Sequence, residues 1–326
     1  MEIKGSKVLV IGGAGFIGAF IVNELLKENV KEVVIYDNFA RGNMENLTEA
    51  LQDDRCSIFD LGGEIRDVDV LDAAMNGVDY VFHLAAMWLL HCKDFPRTAF
   101  DVNIGGTFNV LEACVKNNVK KLIYSSSASV YGDAVELPMT EKHPFNNKNF
   151  YGATKIAGEA MCTAFNDRYD LKVIGLRYMN VYGRGQDQTA AYTGVVPIML
   201  NKIEANQAPV INGDGSQAYD FIYVEDVAMC NIDALKSNVA FGFYNVGTEV
   251  QTSIKKLCDT ILQLKGSDLE VIYKPYSEDD ARALVQNRIG SRKRAENELG
   301  FKYRFELEEG LQKLIDWRIE TGLDKR

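Results

Sequence analysis

Val8-Leu9-Val10-Ile11-Gly12-Gly13-Ala14-Gly15-Phe16-Ile17-Gly18 is an apolar, β-branched run that breaks into glycines and continues into residues with helical spacing. Glycines at 12, 15 and 18 let backbone approach a pyrophosphate and let a helix lie close on its strand. The helix N-terminus adds unpaired amides and the positive end of a dipole. A glycine triplet by itself is also plain turn chemistry; after a strand and before a helix it predicts a dinucleotide site. The next apolar run, Val33-Val34-Ile35-Tyr36, ends at Asp37, 19 residues past Gly18. A carboxylate there accepts hydrogen bonds from the adenosine ribose and repels a 2′-phosphate, so NAD is expected over NADP. Arg41, which could reach a 2′-phosphate, is the opposing signal, but Asp37 holds the strand end.

Outward from this stretch, short apolar runs alternate with longer segments of helical period. Strands are expected at residues 7–11, 32–36, 80–84, 121–125 and 172–177, and helices at 17–28, 97–118 and 151–169. Such alternation predicts an α/β fold: a doubly wound parallel sheet with right-handed helical crossovers. After Asn180 the pattern loosens into turn-rich stretches such as Asn212-Gly213-Asp214-Gly215 and short strand-like pieces at 220–224 and 243–246. The expected division is a Rossmann domain over 1–180, with returning segments near 220–250. A smaller, partly interleaved domain, mainly substrate-binding, would occupy 181–326 and close over the sheet's carboxyl edge.

The 326 residues, 47% hydrophobic and 25% charged, suffice for one large or two closely joined domains with a sizeable core. A formal charge of -10 opposes attraction to nucleic acid or anionic lipid, so cations for a phosphate ester must be gathered locally. The six cysteines are scattered, with no Cys-x-x-Cys pair and no grouping with the three histidines, so no metal site is expected. No run approaches the roughly 18 apolar residues of a membrane span. No secretory signal is read before Val8, and reduced cysteines in a cytoplasm are the expectation.

Tyr151 and Lys155 lie four residues apart, which on a helix puts phenol and ammonium on one face. A nearby cation favours phenolate, making Tyr151 a candidate general base towards an alcohol. Alone, that spacing arises often by chance, and an interfacial aromatic beside a solvated charge has the same signature.

Further segments give the pair its context: His83-Leu84-Ala85-Ala86, Asn103 to Thr107, Ser125-Ser126-Ser127-Ala128-Ser129-Val130-Tyr131-Gly132, Leu176-Arg177-Tyr178-Met179-Asn180-Val181-Tyr182-Gly183 and Asp220-Phe221-Ile222-Tyr223. With the glycine turn, they make the chain resemble, along nearly its whole length, the extended short-chain dehydrogenase/reductases. The resemblance is to NAD-dependent nucleotide-sugar epimerases and dehydratases, most closely the UDP-glucose 4-epimerase-like branch. It implies Ser127, Tyr151 and Lys155 as the catalytic trio, acting on a sugar hydroxyl, usually at C4. It implies a cofactor site of Gly12, Gly15, Phe16, Ile17, Gly18, Asp37, Asn38, Arg41 and Gly42. Glu64 and Ile65 would line the adenine pocket, Leu84, Ala85 and Ala86 pass beneath the cofactor, and Asn103, Ser125 and Tyr178 lie near its ribose or nicotinamide. It also implies a homodimer through the helices near 97–118 and 151–169.

Departures from the family pattern narrow the reaction. Family dehydratases place an aspartate and a glutamate directly after the catalytic serine or threonine, and the decarboxylases usually keep the glutamate; here Ala128 and Ser129 stand there. A methyl and a neutral hydroxyl cannot make that proton transfer. Many relatives grip the diphosphate with an arginine where this chain has Tyr219, and tyrosine does not replace a bidentate guanidinium. Arg184 and Arg282 are candidate substitutes, each readable equally as a surface charge. Asn180 and Trp88 are expected on the substrate side, Trp88 with the alternative of a packed loop, and His83 as a structural hydrogen-bonder.

The expected activity is therefore an NAD-dependent nucleotide-sugar 4-epimerase. The alternatives are a 4-dehydrogenase, reductase or UDP-glucuronate decarboxylase of the same family, and, from another class, a non-catalytic dinucleotide-sensing or RNA-associated protein.

Overall fold

The computed structural model describes residues 3–187, 194–276 and 285–325. Strands β1 (Lys7–Ile11), β2 (Glu32–Tyr36), β3 (Cys56–Ile58), β4 (Tyr80–His83), β5 (Lys121–Ser127) and β6 (Val173–Tyr178) carry the first half. They are followed by β7 (Asn180–Tyr182), β8 (Val210–Asn212), β9 (Ala218–Tyr219), β10 (Phe221–Tyr223), β11 (Phe241–Val246), β12 (Thr252–Ser253), β13 (Ile272–Lys274) and β14 (Asn287–Arg288). Seven of these form one sheet in the order β11-β6-β5-β4-β1-β2-β3, every neighbouring pair parallel. Strands β1, β4, β5 and β6 are almost wholly buried, as a sheet covered on both faces requires.

Helices α1 (Phe16–Lys27), α2 (Val68–Ala74), α3 (Leu89–Asp94), α4 (Pro96–Ala99), α5 (Thr107–Lys116), α6 (Phe150–Tyr169), α7 (Val195–Glu204) and α8 (Val224–Lys236) follow in chain order. One apolar cluster joins α1 and α8 residues to one face of the sheet, and a second joins α2, α5 and α6 residues to the other. The chain thus winds outward in both directions from β1, and the order reverses between β1 and β4, where such sheets hold ligands beyond their strand ends. Short strands after β6 pair among themselves as β10-β7, β12-β9-β14 and β13-β8. A third apolar cluster gathers residues of α7, β10 and the C-terminal helix Leu307–Glu320.

Two local differences from the sequence expectation have physical causes. The helix expected over 97–118 is broken: α4 gives way at residues 100–106 to a wider π-helical stretch before α5. Gly106 lies there because a Cβ on it would stand 2.4 Å from Cδ1 of Ile65. Strand β3 is only three residues, too short for any periodicity to reveal.

Candidate active site

The turn after β1 is built so that only glycine fits. Gly12 has φ +83, and a Cβ on it would meet the Ala85 amide nitrogen at 2.8 Å; one on Gly18 would meet the Gly12 carbonyl at 2.1 Å. No side chain caps α1 at Gly15, leaving its first-turn amides for an anion. Asp37 closes the turn from β2: its Oδ2 accepts from the Ala14 amide at 2.9 Å and its Oδ1 from the Phe39 amide at 2.8 Å. Carboxylate oxygens retain acceptor capacity beyond those bonds, as ribose hydroxyls require. Burial pushes the Asp37 carboxyl up, against the pull of the bonds from Phe39 and Ala14. These residues fit a dinucleotide with a free adenosine ribose.

Around this turn, Asn38 Nδ2 donates to Glu64 Oε2 at 3.3 Å, Glu64 pairs with Arg66 at 2.8 Å, and Ile65 is buried. Gly42 approaches Ala14 so closely that a Cβ would lie 2.7 Å from the Ala14 side chain. Leu84 and Ala85 are tied to β1 through the Ile11 carbonyl at 2.8 and 3.2 Å, and Ala86 follows them on the same loop. Arg41 lies over the Trp88 ring at 5.1 Å and faces Asp187 at 3.9 Å. One cation thereby spans the cofactor turn, the loop after β4 and the loop after β7.

The proton-transfer candidates stand on β5 and α6, at the sheet's carboxyl edge. Asn149 caps α6 by accepting from the Gly152 amide at 2.8 Å, which sets the first turn carrying Tyr151. Lys155 is buried, its Nζ donates to the Ser125 carbonyl at 2.7 Å, and it lies 5.7 Å from the Tyr151 ring centre. Ser127 Oγ accepts from the Ser129 amide at 3.1 Å, and its hydroxyl is near enough to the phenol to favour the ionised form. Ser125 and Tyr178 share a hydrogen bond of 3.0 Å, and the Tyr178 hydroxyl donates to Asn231 at 2.9 Å.

The electrostatics differ in sign from the sequence expectation. Burial pushes the Tyr151 phenol up to about 12, and the nearby Ser127 hydroxyl only partly offsets it. Burial likewise pushes Lys155 down to about 8. In the chain alone, desolvation outweighs any help the ammonium gives the phenolate.

Asn103, in the π-helical stretch, is a fastener: Oδ1 accepts from the Met87 amide at 2.6 Å, and Nδ2 donates to Thr154 Oγ1 at 3.0 Å. It ties the loop after β4 to α6, and wide helical turns are often found where side chains serve a site. His83 is the expected hydrogen-bonder, its Nε2 3.0 Å from Thr107 Oγ1, with burial pushing it down to about 3. Sequence reasoning missed Thr154 and Asn231, whose partners are 51 and 53 residues away.

On the other flank, Asn180 begins β7, and its Nδ2 is buried without a partner. The Tyr219 hydroxyl donates to the Val285 carbonyl at 2.8 Å. Arg184 pairs with Glu225 at 3.3 Å and covers Phe20 at 5.1 Å, which occupies it on the α1 and α8 side. Arg282 lies outside the described residues. Among the described residues no cluster of metal-binding side chains is present, and no helix is long and apolar enough to cross a membrane.

A glycine turn at the switch point of a doubly wound sheet defines a dinucleotide-dependent protein, and a serine, a tyrosine and a lysine stand at the same sheet edge. The model of the NAD dependent epimerase/dehydratase family matches residues 8–247, and the chain belongs to that family, with NAD as its cofactor. It is 32% identical over 319 residues to the UDP-glucose 4-epimerase of Mycolicibacterium smegmatis, covering 95% of this chain and 98% of that protein. The UDP-N-acetylglucosamine 4-epimerase from Methanobrevibacter ruminantium, solved with UDP-N-acetylmuramic acid, superposes with a TM-score of 0.90 at 33% identity over 98% of this chain and 99% of that one. The Thermus thermophilus UDP-glucose 4-epimerase in complex with NAD gives 0.84 at 30% identity over 96% and 99%.

Proposed function

We propose that the chain is a UDP-sugar 4-epimerase in which Tyr151 moves the proton and Ser127 and Lys155 hold it to that task. The observation that carries this reading is that Ser127 ends β5 while Tyr151 and Lys155 stand at the start of α6, Lys155 bonded to the Ser125 carbonyl, with Ala128 and Ser129 as the residues that follow Ser127. Ser127 bridges the phenol and the reacting hydroxyl, so the two oxygens sit on one proton path. When bound, oxidised NAD would accept the hydride from C4 and, once reduced, return it to the ketone, and its positive ring would favour the phenolate beforehand. Tyr151 then takes the C4 hydroxyl proton, and gives it back after the ketone has turned over.

Elimination needs a further acid and base beside Ser127. Glu159, the buried acid of α6, is committed to Arg177, while Ala128 and Ser129 are neutral. The lack of such a pair favours epimerisation over elimination, and the names of the relatives favour a UDP-sugar. Residues 1–180 with β11 would hold the cofactor, and most of the remainder the substrate. NMR of the purified protein with UDP-glucose, UDP-glucuronate and their N-acetyl relatives is expected to show a C4 epimer and no free keto sugar. Accumulation of a keto sugar or loss of carbon dioxide would move the assignment to a dehydrogenase or decarboxylase, and no turnover of any of them would remove it.

A homodimer is part of the same proposal. Phe95, Phe100, Phe108 and Tyr169 are exposed on or beside the helices of residues 89–116 and 150–169, and Phe108, Phe165 and Tyr169 form a continuous aromatic row with centroids 5.5 Å apart. So many exposed large apolar side chains on one set of helices fit an interface. Light scattering at micromolar concentration is expected to give twice the chain mass; a monomer overturns this part alone.

A further inference from the structure

We propose that Arg288 grips the diphosphate of the nucleotide sugar, restoring from β14 the guanidinium that position 219 lacks on β9; this rests on the nucleotide-sugar reading above. Strands β14 and β9 run parallel with Arg288 opposite Tyr219. Directly paired residues of adjacent strands send their side chains to one face, and such strands lie about 4.8 Å apart. A guanidinium on β14 therefore enters the space over position 219 displaced by one strand. The Tyr219 hydroxyl is engaged by the Val285 carbonyl at 2.8 Å, so its one donor is not free for a phosphate.

Arg288 is also a cation without an anion. The other described arginines beyond Gly183, namely Arg184, Arg292, Arg294, Arg304 and Arg318, each pair with a carboxylate. Arg288 has no ion pair or hydrogen bond from its side chain among the described residues, and its Nε is buried and unsatisfied. Asp133 is the neighbouring acid, but its Oδ1 already accepts from the Gln286 and Asn287 amides at 2.8 and 3.0 Å. Burial and the lack of a bonded anion disfavour the charged form, and an incoming anion would relieve that cost.

The position matches a diphosphate rather than a group at C4. The Asn180 amide donates to the Asp220 carbonyl at 2.9 Å, and the Asp220 amide to the Arg288 carbonyl at 3.0 Å. Asn180, close to Tyr178 and the proton-transfer edge, thus stands two rungs from Arg288, and the two orphaned donors, Asn180 Nδ2 and Arg288 Nε, bracket Asp220. In a sugar held with C4 at Tyr151, the diphosphate hangs from C1 on the far side of the ring.

The test is calorimetric titration of the NAD-loaded protein with UDP, UDP-glucose, UDP-glucuronate and uridine, for the wild type, Arg288→Gln and Arg288→Lys. Loss of a bidentate charged contact is expected to weaken UDP roughly ten- to hundredfold in Arg288→Gln, with partial recovery in Arg288→Lys and uridine binding unchanged. Arg288→Gln is expected to melt no lower than the wild type, since it removes an unpaired charge; a lowered melting temperature with unchanged UDP affinity marks a structural role and overturns the proposal. So does a loss confined to UDP-glucuronate with UDP unaffected, which would assign Arg288 to a sugar carboxylate. A wild type that binds UDP-sugars in no form overturns the nucleotide-sugar reading together with this one, whereas wild-type binding matched by Arg288→Gln overturns this one alone.

Discussion

Tyr151→Phe is expected to lower epimerisation of UDP-glucose by roughly a hundred- to ten-thousandfold, the range that a positioned general acid or base supplies. The ring stays and the ionisable oxygen goes, so NAD content and melting temperature should stay at wild-type values. Absorbance of the cofactor released on denaturation and a thermal melt check those two controls. The size of the effect follows from the burial of the phenol. With its pKa pushed up to about 12, Tyr151 is protonated at neutral pH in the chain alone. Water in such a site does not replace a base that only becomes one when cationic charge is brought beside it. A variant that turns over within tenfold of the wild type would remove Tyr151 from the proton path.

That pKa also marks where sequence reading stops. The four-residue spacing identifies Tyr151 and Lys155 as neighbours, and they are. It carries no information on desolvation, which comes from β5 and the loop after β4 closing over α6, and desolvation decides the sign. The sheet was legible because buried parallel strands are continuous apolar runs, so β1, β2, β4, β5 and β6 fall within two residues of expectation. The glycine turn was legible because each glycine answers a contact within the turn or with the adjacent loop. What could not be read are pairings set by distant strand register. Arg288 comes opposite Tyr219 from 69 residues away, through a two-residue strand with no pattern of its own. The break in the helix near Asn103 was hidden for the same reason, since Ile65, from another part of the chain, fills the space over Gly106.

The second large effect is expected in stability, at a residue that touches neither proton path nor cofactor turn. Arg177 on β6 makes a two-point pair with Glu159 on α6: Nε to Oε1 at 2.8 Å and Nη2 to Oε2 at 2.7 Å, with side chains only 5% and 4% exposed. Glu159 also accepts from Ser126 on β5 at 2.6 Å, and Arg177 Nη1 donates to the Tyr131 hydroxyl at 2.7 Å. Tyr131 in turn donates to Asn245 of β11 at 2.7 Å. The helix carrying Tyr151 and Lys155 is thus pinned to three adjacent strands by one buried network. At such low exposure the value for surface ion pairs does not apply; removing one partner of a buried pair costs about 3–5 kcal/mol because the other is left uncompensated. Arg177→Met is therefore expected to lower the melting temperature by roughly 10 °C, at a few degrees per kcal/mol for a chain of this size. Arg177→Met combined with Glu159→Met removes both charges and should recover much of that loss, since an apolar pair of similar volume often matches a buried ion pair. Calorimetry of the wild type, the single and the double variant separates the cases: a single variant melting within about 2 °C of the wild type would mean the pair contributes little. A double variant worse than the single would mean that the bonds to Ser126 and Tyr131, rather than the charge balance, hold α6 in place.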